Sequence, residues 1–413
     1  MIPYARFLYF ALVALYVLAP VLVLRAVRPA TPSWLKQGCI LVATLVMLGV
    51  QYYAPFNEKI PGAIRQIWIV GVYALGQYLL ATALLRYRRG AKAKWPGYVA
   101  VALALLPLLA AKLLPENGAT TAAGPAGAVG VVGLVEFLGL SYATLRAVDV
   151  LIGIQDGLIK TLPPGQFFAF LLFFPTISSG PIDRYRRFAG DWSAVVNRAR
   201  LVQDFDAAIH RVFTGFFYKF ILAHLIHDQW LDKVPVTPTL GHTLSYMYAY
   251  SLYLFFDFAG YSSFAIALSY VFGVHTPENF NRPFLSRNIK EFWTRWHITL
   301  SYWFRDFIYM RFLLTAFKKK WFADKRHAAY VANFLTFGVM GFWHGTATHY
   351  LVYGLYHACL ITGHDIFAHW NRPHPDQPAR IWGDSLPWQI GGILLTCHTV
   401  AFGFLIFSGR RLW

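Results

Sequence analysis

The sequence predicts an all-α polytopic membrane protein of about eleven transmembrane helices. Of its 413 residues 57% are hydrophobic and only 14% are charged, and the mean hydropathy is +0.44. That is too apolar for an ordinary soluble domain and long enough for many spans. Apolar runs of spanning length also recur at 7–24, 35–54, 67–85 and 97–114, each bounded by charge, Pro or Gly. The formal charge of +18 cannot sit in hydrocarbon, where each Lys or Arg costs about 2.5–3.5 kcal/mol, so most of it belongs to loops. Such a basic face suits anionic membrane lipid or an acidic protein partner, with no nucleic acid expected.

In order along the chain, the N-terminal run through Arg28 reads as a retained span, without a cleavage pattern before its charges. The loop from Arg25 to Lys36 is basic, as is that from Arg86 to Lys94, whereas Pro115 to Gly127 holds no basic residue. By the positive-inside rule the N-terminus faces out, and an odd span count puts Gly409–Trp413 in the cytoplasm. Residues 1–114 are therefore peripheral spans of a single membrane-embedded domain, 1–413. From residue 128 the apolar segments (128–145, 166–182, 205–227, 243–273, 288–316, 329–342, 350–368 and 388–408) are broken by Pro, Gly and charge. Non-helical backbone is tolerated at membrane depth only where protein or water covers it, so a central layer of short or tilted helices is expected inside a rim of full spans. Cys39, Cys359 and Cys397 are far apart in apolar runs and imply neither disulfides nor a thiolate metal site.

Two histidines stand out. Placing 288–307 on one helix puts Lys290, Thr294, His297, Ser301 and Arg305 in a wedge roughly 80° wide, opposite Phe292, Trp296, Thr299, Trp303 and Phe307. The stripe fits either an interfacial helix anchored by tryptophans or the lining of a water-filled cavity. His344 lies between Gly341 and Gly345, with Trp343 beside it as a wall. An imidazole can accept a hydroxyl proton near neutral pH, although a lone histidine in an apolar helix is more often a packing residue. His344, His349, His357, His364, His369 and His374 crowd the last quarter, but their spacing does not repeat a helical zinc pair, and no metal is expected.

Within Phe173–Phe188, Pro175, Gly180 and Pro181 interrupt any helix, and Ser178 and Ser179 are placed to satisfy the freed backbone groups. Arg184, Arg186 and Arg187 then follow as a basic face for an acidic partner. Asp257, among aromatic residues, needs a partner if buried.

Together these segments resemble the membrane-bound O-acyltransferase (MBOAT) superfamily: Phe174-Pro-Thr-Ile-Ser-Ser-Gly-Pro-Ile-Asp-Arg-Tyr185, Asp257-Phe-Ala-Gly-Tyr261, Pro277-Glu-Asn-Phe280, Phe292-Trp-Thr-Arg-Trp-His-Ile-Thr-Leu-Ser301 with Arg305-Asp306, and Phe342-Trp-His-Gly345. Length and the wording of the first motif are most similar to its D-alanyl transfer branch, DltB, of teichoic-acid D-alanylation. Residues 165–370 form the motif-bearing core. The resemblance implies a bacterial cytoplasmic-membrane enzyme with a ring of helices around a thin centre and a narrow tunnel. It carries the essential histidine onto His344 and the second motif histidine onto His297, with Trp343, Trp293, Ser301, Ser179 and Asp257 as candidate substrate contacts. It implies no bound cofactor: the donor is D-alanine held as a thioester on the phosphopantetheine of a small acidic carrier protein in the cytoplasm. The acceptor is a hydroxyl presented outside, by an envelope polymer or a helper protein. Exopolysaccharide O-acetyl transfer, a transporter or flippase whose histidines line a path, and a non-catalytic scaffold are the competing readings. The absence of a recognisable repeat weighs against the transporter.

Overall fold

Helices dominate the computed structural model, which describes residues 30–31, 33–51, 63–90, 93–114, 137–237, 239–371 and 385–410. The expected first span, 7–24, lies outside the described residues. The chain divides into two compact units. One comprises residues 1–213 and 262–277, the other 214–261 and 278–413.

In the first unit α1 (Ser33–Gln51), α2 (Ala63–Gly90), α3 (Trp95–Leu113), α4 (Leu140–Gln155), α5 (Pro164–Leu171) and α6 (Tyr185–Ser193) are followed by α7 (Arg198–Phe216). A short antiparallel pairing joins Ala30–Thr31 to Val196–Asn197. The expected interruption after residue 171 is real: α5 gives way to a single 3₁₀ turn, Phe174–Thr176. Its free carbonyls are satisfied by a residue the sequence did not flag. The fully buried guanidinium of Arg146 donates to the carbonyls of Phe170 (3.1 Å), Leu171 (3.2 Å) and Thr176 (2.9 Å) and to the Thr176 hydroxyl. A cation at the open C-terminal end of a helix also meets the negative end of its dipole.

The arginines after this turn differ from expectation. Arg184 pairs with Asp149 (3.1 Å), and Arg187 pairs with Asp183 and with Asp191 (2.9 Å). Only Arg186 of the three is exposed. Partly buried cations need counter-charges, so this cluster holds α6 in place rather than presenting a free basic face.

After a π turn, Phe217–Ala223, the second unit adds α8 (His224–Gln229), α9 (Leu240–Val271, which ends in the first unit), α10 (Ile289–Arg295), α11 (Ile298–Phe304), α12 (Met310–Lys319), α13 (Lys325–His344), α14 (Thr348–Trp370) and α15 (Leu386–Ser408). Four helices among the described residues are long and apolar enough to cross a membrane: Ile67–Gly90 of α2, α3, α9 and α15. The segment 288–316 is not one span but three helices and a π turn, Arg305–Tyr309.

α13 and α14 form an antiparallel hairpin whose close approach explains two glycines. A Cβ on Gly341 would stand 2.5 Å from the Tyr350 carbonyl oxygen, and one on Gly354 would stand 2.3 Å from that of Phe337. No larger residue lets these backbones meet.

Candidate active site

His297 occupies a break in the chain. Asn288 starts α10 by accepting from the Glu291 backbone N–H (2.9 Å), while the Glu291 carboxylate accepts from the N–H of Arg287 (2.7 Å), a reciprocal cap. The helix should then run on, but it stops at Arg295 and His297 takes a left-handed conformation, φ 41°. The loop before it explains the stop. Asn281 N–H donates to the Arg295 carbonyl (2.9 Å), the Asn279 carbonyl accepts from Ile298 N–H (2.9 Å), and the Asn279 side chain accepts from the Thr299 hydroxyl (2.7 Å). The backbone groups freed by the break are thus bonded elsewhere, as burial demands. Phe280 packs against Trp296 (5.1 Å between ring centroids) and Phe258 (5.1 Å), which accounts for the Pro277–Phe280 motif.

The break separates His297 from the stripe expected on a single helix. Lys290, Thr294, Ser301 and Arg305 do line one cavity of about 310 Å³, with Trp293, Phe304, Asn333, Phe337 and Met340 among its other walls. His297 is not one of its walls: it is buried edge-on against Phe258 at 4.8 Å with no hydrogen-bond partner for Nε2. The Ser301 hydroxyl donates to the Trp296 carbonyl (3.1 Å), tying α11 to the break. The stripe cations carry their own counter-charges: Lys290 pairs with Asp365, and Arg305 pairs with Asp306 (2.9 Å) and lies 4.2 Å over the Tyr302 ring.

His344 is the last residue of α13, half-buried in an aromatic cage of Trp343 (5.0 Å), Phe407 (5.1 Å), Tyr353 (6.2 Å) and Tyr350 (6.4 Å). A side chain at Gly345 would meet the Tyr350 ring at 2.4 Å, so that glycine lets the cage close. The imidazoles of His297 and His344 interact electrostatically. Trp343 contacts the cavity wall through Phe304, 6.3 Å between centroids. The second unit thus holds two imidazoles on different elements, one of them linked through Trp343 and Phe304 to a cavity with cations at its rim. A neutral imidazole can take or give a proton there, and a polar group with one wall of indole can hold an amide or thioester chain.

The model of the membrane-bound O-acyltransferase family matches residues 99–407. This chain belongs to that family. It is 39% identical to a teichoic acid D-alanyltransferase of Bacillus subtilis (strain 168), over 99% of this chain and 98% of that protein. It is 43% identical to one of Lacticaseibacillus rhamnosus, over 68% and 71%. A probable alginate O-acetylase of Pseudomonas fluorescens is 30% identical over 67% of this chain but 52% of its own length.

Within this O-acyltransferase, the remaining expected residues fall as follows. Asp257, on α9, finds its partner in Lys219 of the π turn. Trp293 is buried and its indole meets His357 of α14 (5.0 Å). Ser179 lies in the first unit, half-buried beside Gly180. Asn279, Lys219 and His357 were not among the expected site residues. Lys219 carried a signal, since it and Asp257 are lone charges in otherwise apolar runs. Of metal-ligand chemistry among the described residues, His227, Asp228 and Asp232 cluster, and they satisfy one another: His227 Nδ1 is 3.0 Å from Asp228 and 3.2 Å from Asp232.

Proposed function

We propose that this acyltransferase moves D-alanine from the phosphopantetheine thioester of an acidic carrier protein on the cytoplasmic side to a hydroxyl of teichoic acid on the outer side, with His344 as the base. The observation that carries the reading is that His344 packs on Trp343, which in turn packs on Phe304, a wall of the cavity that Trp293, Ser301, Lys290 and Arg305 also line. The likeness to teichoic acid D-alanyltransferases along nearly the whole chain supports the choice of acyl group and acceptor. The alginate O-acetylase of Pseudomonas fluorescens is matched over two thirds of this chain and only about half of its own length, which makes O-acetyl transfer the weaker reading.

In this mechanism the acceptor oxygen attacks the thioester carbonyl as His344 takes its proton. The new C–O bond forms, the C–S bond breaks, and the departing pantetheine thiolate takes up a proton. A positioned imidazole supplies about 10²- to 10⁴-fold, and a thiolate leaves readily. Holding donor and acceptor in one passage contributes proximity, which can exceed both. His297, buried and without a partner at Nε2, orients a reactant or donates to the oxyanion. Lys290 and Arg305 at the cavity rim suit the phosphate of the donor arm. Exposed Leu314, Phe317 and Trp321, flanked by Lys318, Lys319 and Lys320, offer the acidic carrier an apolar and basic face. An outer helper protein, the N-terminus outside and the C-terminus in the cytoplasm belong to the same proposal, as does a contact of Ser179 with substrate.

The test is a reconstituted assay with D-alanyl-charged carrier protein that follows where the D-alanyl group goes. His344→Ala is expected to lower transfer by 10²- to 10⁴-fold, about 3–5 kcal/mol of barrier. Near wild-type transfer by a folded His344→Ala protein defeats the mechanism.

A further inference from the structure

His357 is a buried polar side chain that the reaction above does not use. It lies in the middle of α14 with no solvent exposure, and neither Nδ1 nor Nε2 has a hydrogen-bond partner. A neutral imidazole carries one N–H donor and one bare acceptor, and buried polar groups are as a rule bonded. By stability alone a phenylalanine of similar size is the better occupant. Its neighbours are rings. Tyr353 lies at 4.6 Å, Trp293 at 5.0 Å, Tyr356 at 5.4 Å and Phe337 at 6.2 Å, and Gly403 closes a further side, where a Cβ would stand 2.6 Å from Nε2.

Those contacts lead to the reacting groups by two short routes. Trp293 walls the 310 Å³ cavity, and its own buried Nε1 has no partner. Tyr353 touches His357 on one side and His344 on the other. The rings of Trp293 and Tyr353 stand at 85° and 70° to the imidazole. At such angles one ring of each pair turns its edge to the face of the other, the arrangement in which an N–H leans on a π face. An N–H in that position fixes the angle of its neighbour more firmly than a C–H does.

We propose that His357 is a positioning residue for acyl transfer. Its ring holds Trp293 against the cavity and Tyr353 against His344, and its nitrogens are kept for that purpose at the expense of stability. The inference rests on the acyl-transfer reading of the same site.

The experiment uses the full chain in the reconstituted assay with D-alanyl-charged carrier protein, with thermal unfolding of the same samples. His357→Phe is expected to melt at or above the wild-type temperature while kcat falls at least tenfold and KM for charged carrier stays within about twofold. His357→Gln, which keeps polar atoms, is expected to recover part of the lost kcat. His357→Phe with wild-type kcat overturns the positioning role, and so does a His357→Phe protein that melts lower or fails to fold. A His357→Gln protein no more active than the phenylalanine variant also overturns it. Wild-type protein run alongside keeps the two claims apart: no transfer by wild type strikes the proposed function, whereas active wild type with an equally active His357→Phe strikes only this inference.

Discussion

The Lys219–Asp257 pair offers a test with an internal asymmetry. The Lys219 side chain is 7% exposed and that of Asp257 is 22% exposed. The helices carrying them are close: a Cβ on Gly260 would stand 2.9 Å from the Lys219 backbone nitrogen. Removing one partner of a buried pair costs about 3–5 kcal/mol, because the other charge stays buried and uncompensated. Asp257→Asn leaves an ammonium almost wholly enclosed and should approach that range. Lys219→Met leaves a carboxylate that is less enclosed, exposed over about a fifth of its surface, so its cost should be lower, about 1–3 kcal/mol. The double variant Lys219→Met with Asp257→Leu removes both charges and should recover to within about 1–2 kcal/mol of wild type. Thermal unfolding in a bilayer mimetic measures all three. Should Asp257→Asn prove no worse than Lys219→Met, or the double variant as poor as the worse single, the pair is not the buried contact described.

Three further outcomes follow from the geometry. His297→Asn, a residue that tolerates left-handed backbone, should keep the wild-type melting temperature to within a few degrees while transfer is lost, whereas His297→Val should also lose about 1–3 kcal/mol to backbone strain, read by unfolding. Gly341→Ala forces α13 from α14 and should cost about 1–3 kcal/mol and depress transfer, with Gly338→Ala as a control because its Cβ meets nothing within 4 Å. Outside the spans, hydrogen bonds to Asp191 and then Asp204 push the pKa of His275 up to about 9. Raised above its unfolded value of about 6.5, His275 contributes stability that is full below that pH and lost as pH rises through 9. Unfolding profiles between pH 6 and 10 should therefore decline, and His275→Gln should start lower and decline less.

What the sequence made legible were features carried by local pattern. The runs at 67–85 and 97–114 became the long apolar helices α2 and α3, the segments 243–273 and 388–408 proved to be the long apolar helices α9 and α15, and the Pro and Gly after residue 172 did interrupt the backbone. What it hid depends on contacts across many residues. The wheel drawn through 288–307 failed at His297 because Asn279 and Asn281, more than a dozen residues earlier, supply hydrogen bonds that outweigh helix continuation. At the broken backbone near residue 172 Arg146 also reaches in from α4, a reach that no local reading supplies. His357 looked like one of a crowd of histidines, and only its enclosure sets it apart.

The break at His297 also divides labour in a way that a continuous helix could not. On an unbroken α-helix, position 297 would share a side with Lys290, Thr294, Ser301 and Arg305, so the imidazole would face the same cavity as two cations. The left-handed residue turns it instead onto Phe258, and leaves Lys290 and Arg305, paired with Asp365 and Asp306, at the cavity rim. Strained backbone at 297, a buried Nε2 without a partner there and two more unpartnered nitrogens at His357 all cost stability, and all lie around one site. Local rules are broken together where function, not folding, sets the geometry. The glycine contacts of α13 with α14 and the Asn279 bonds across the break are the features rigid enough to hold that arrangement.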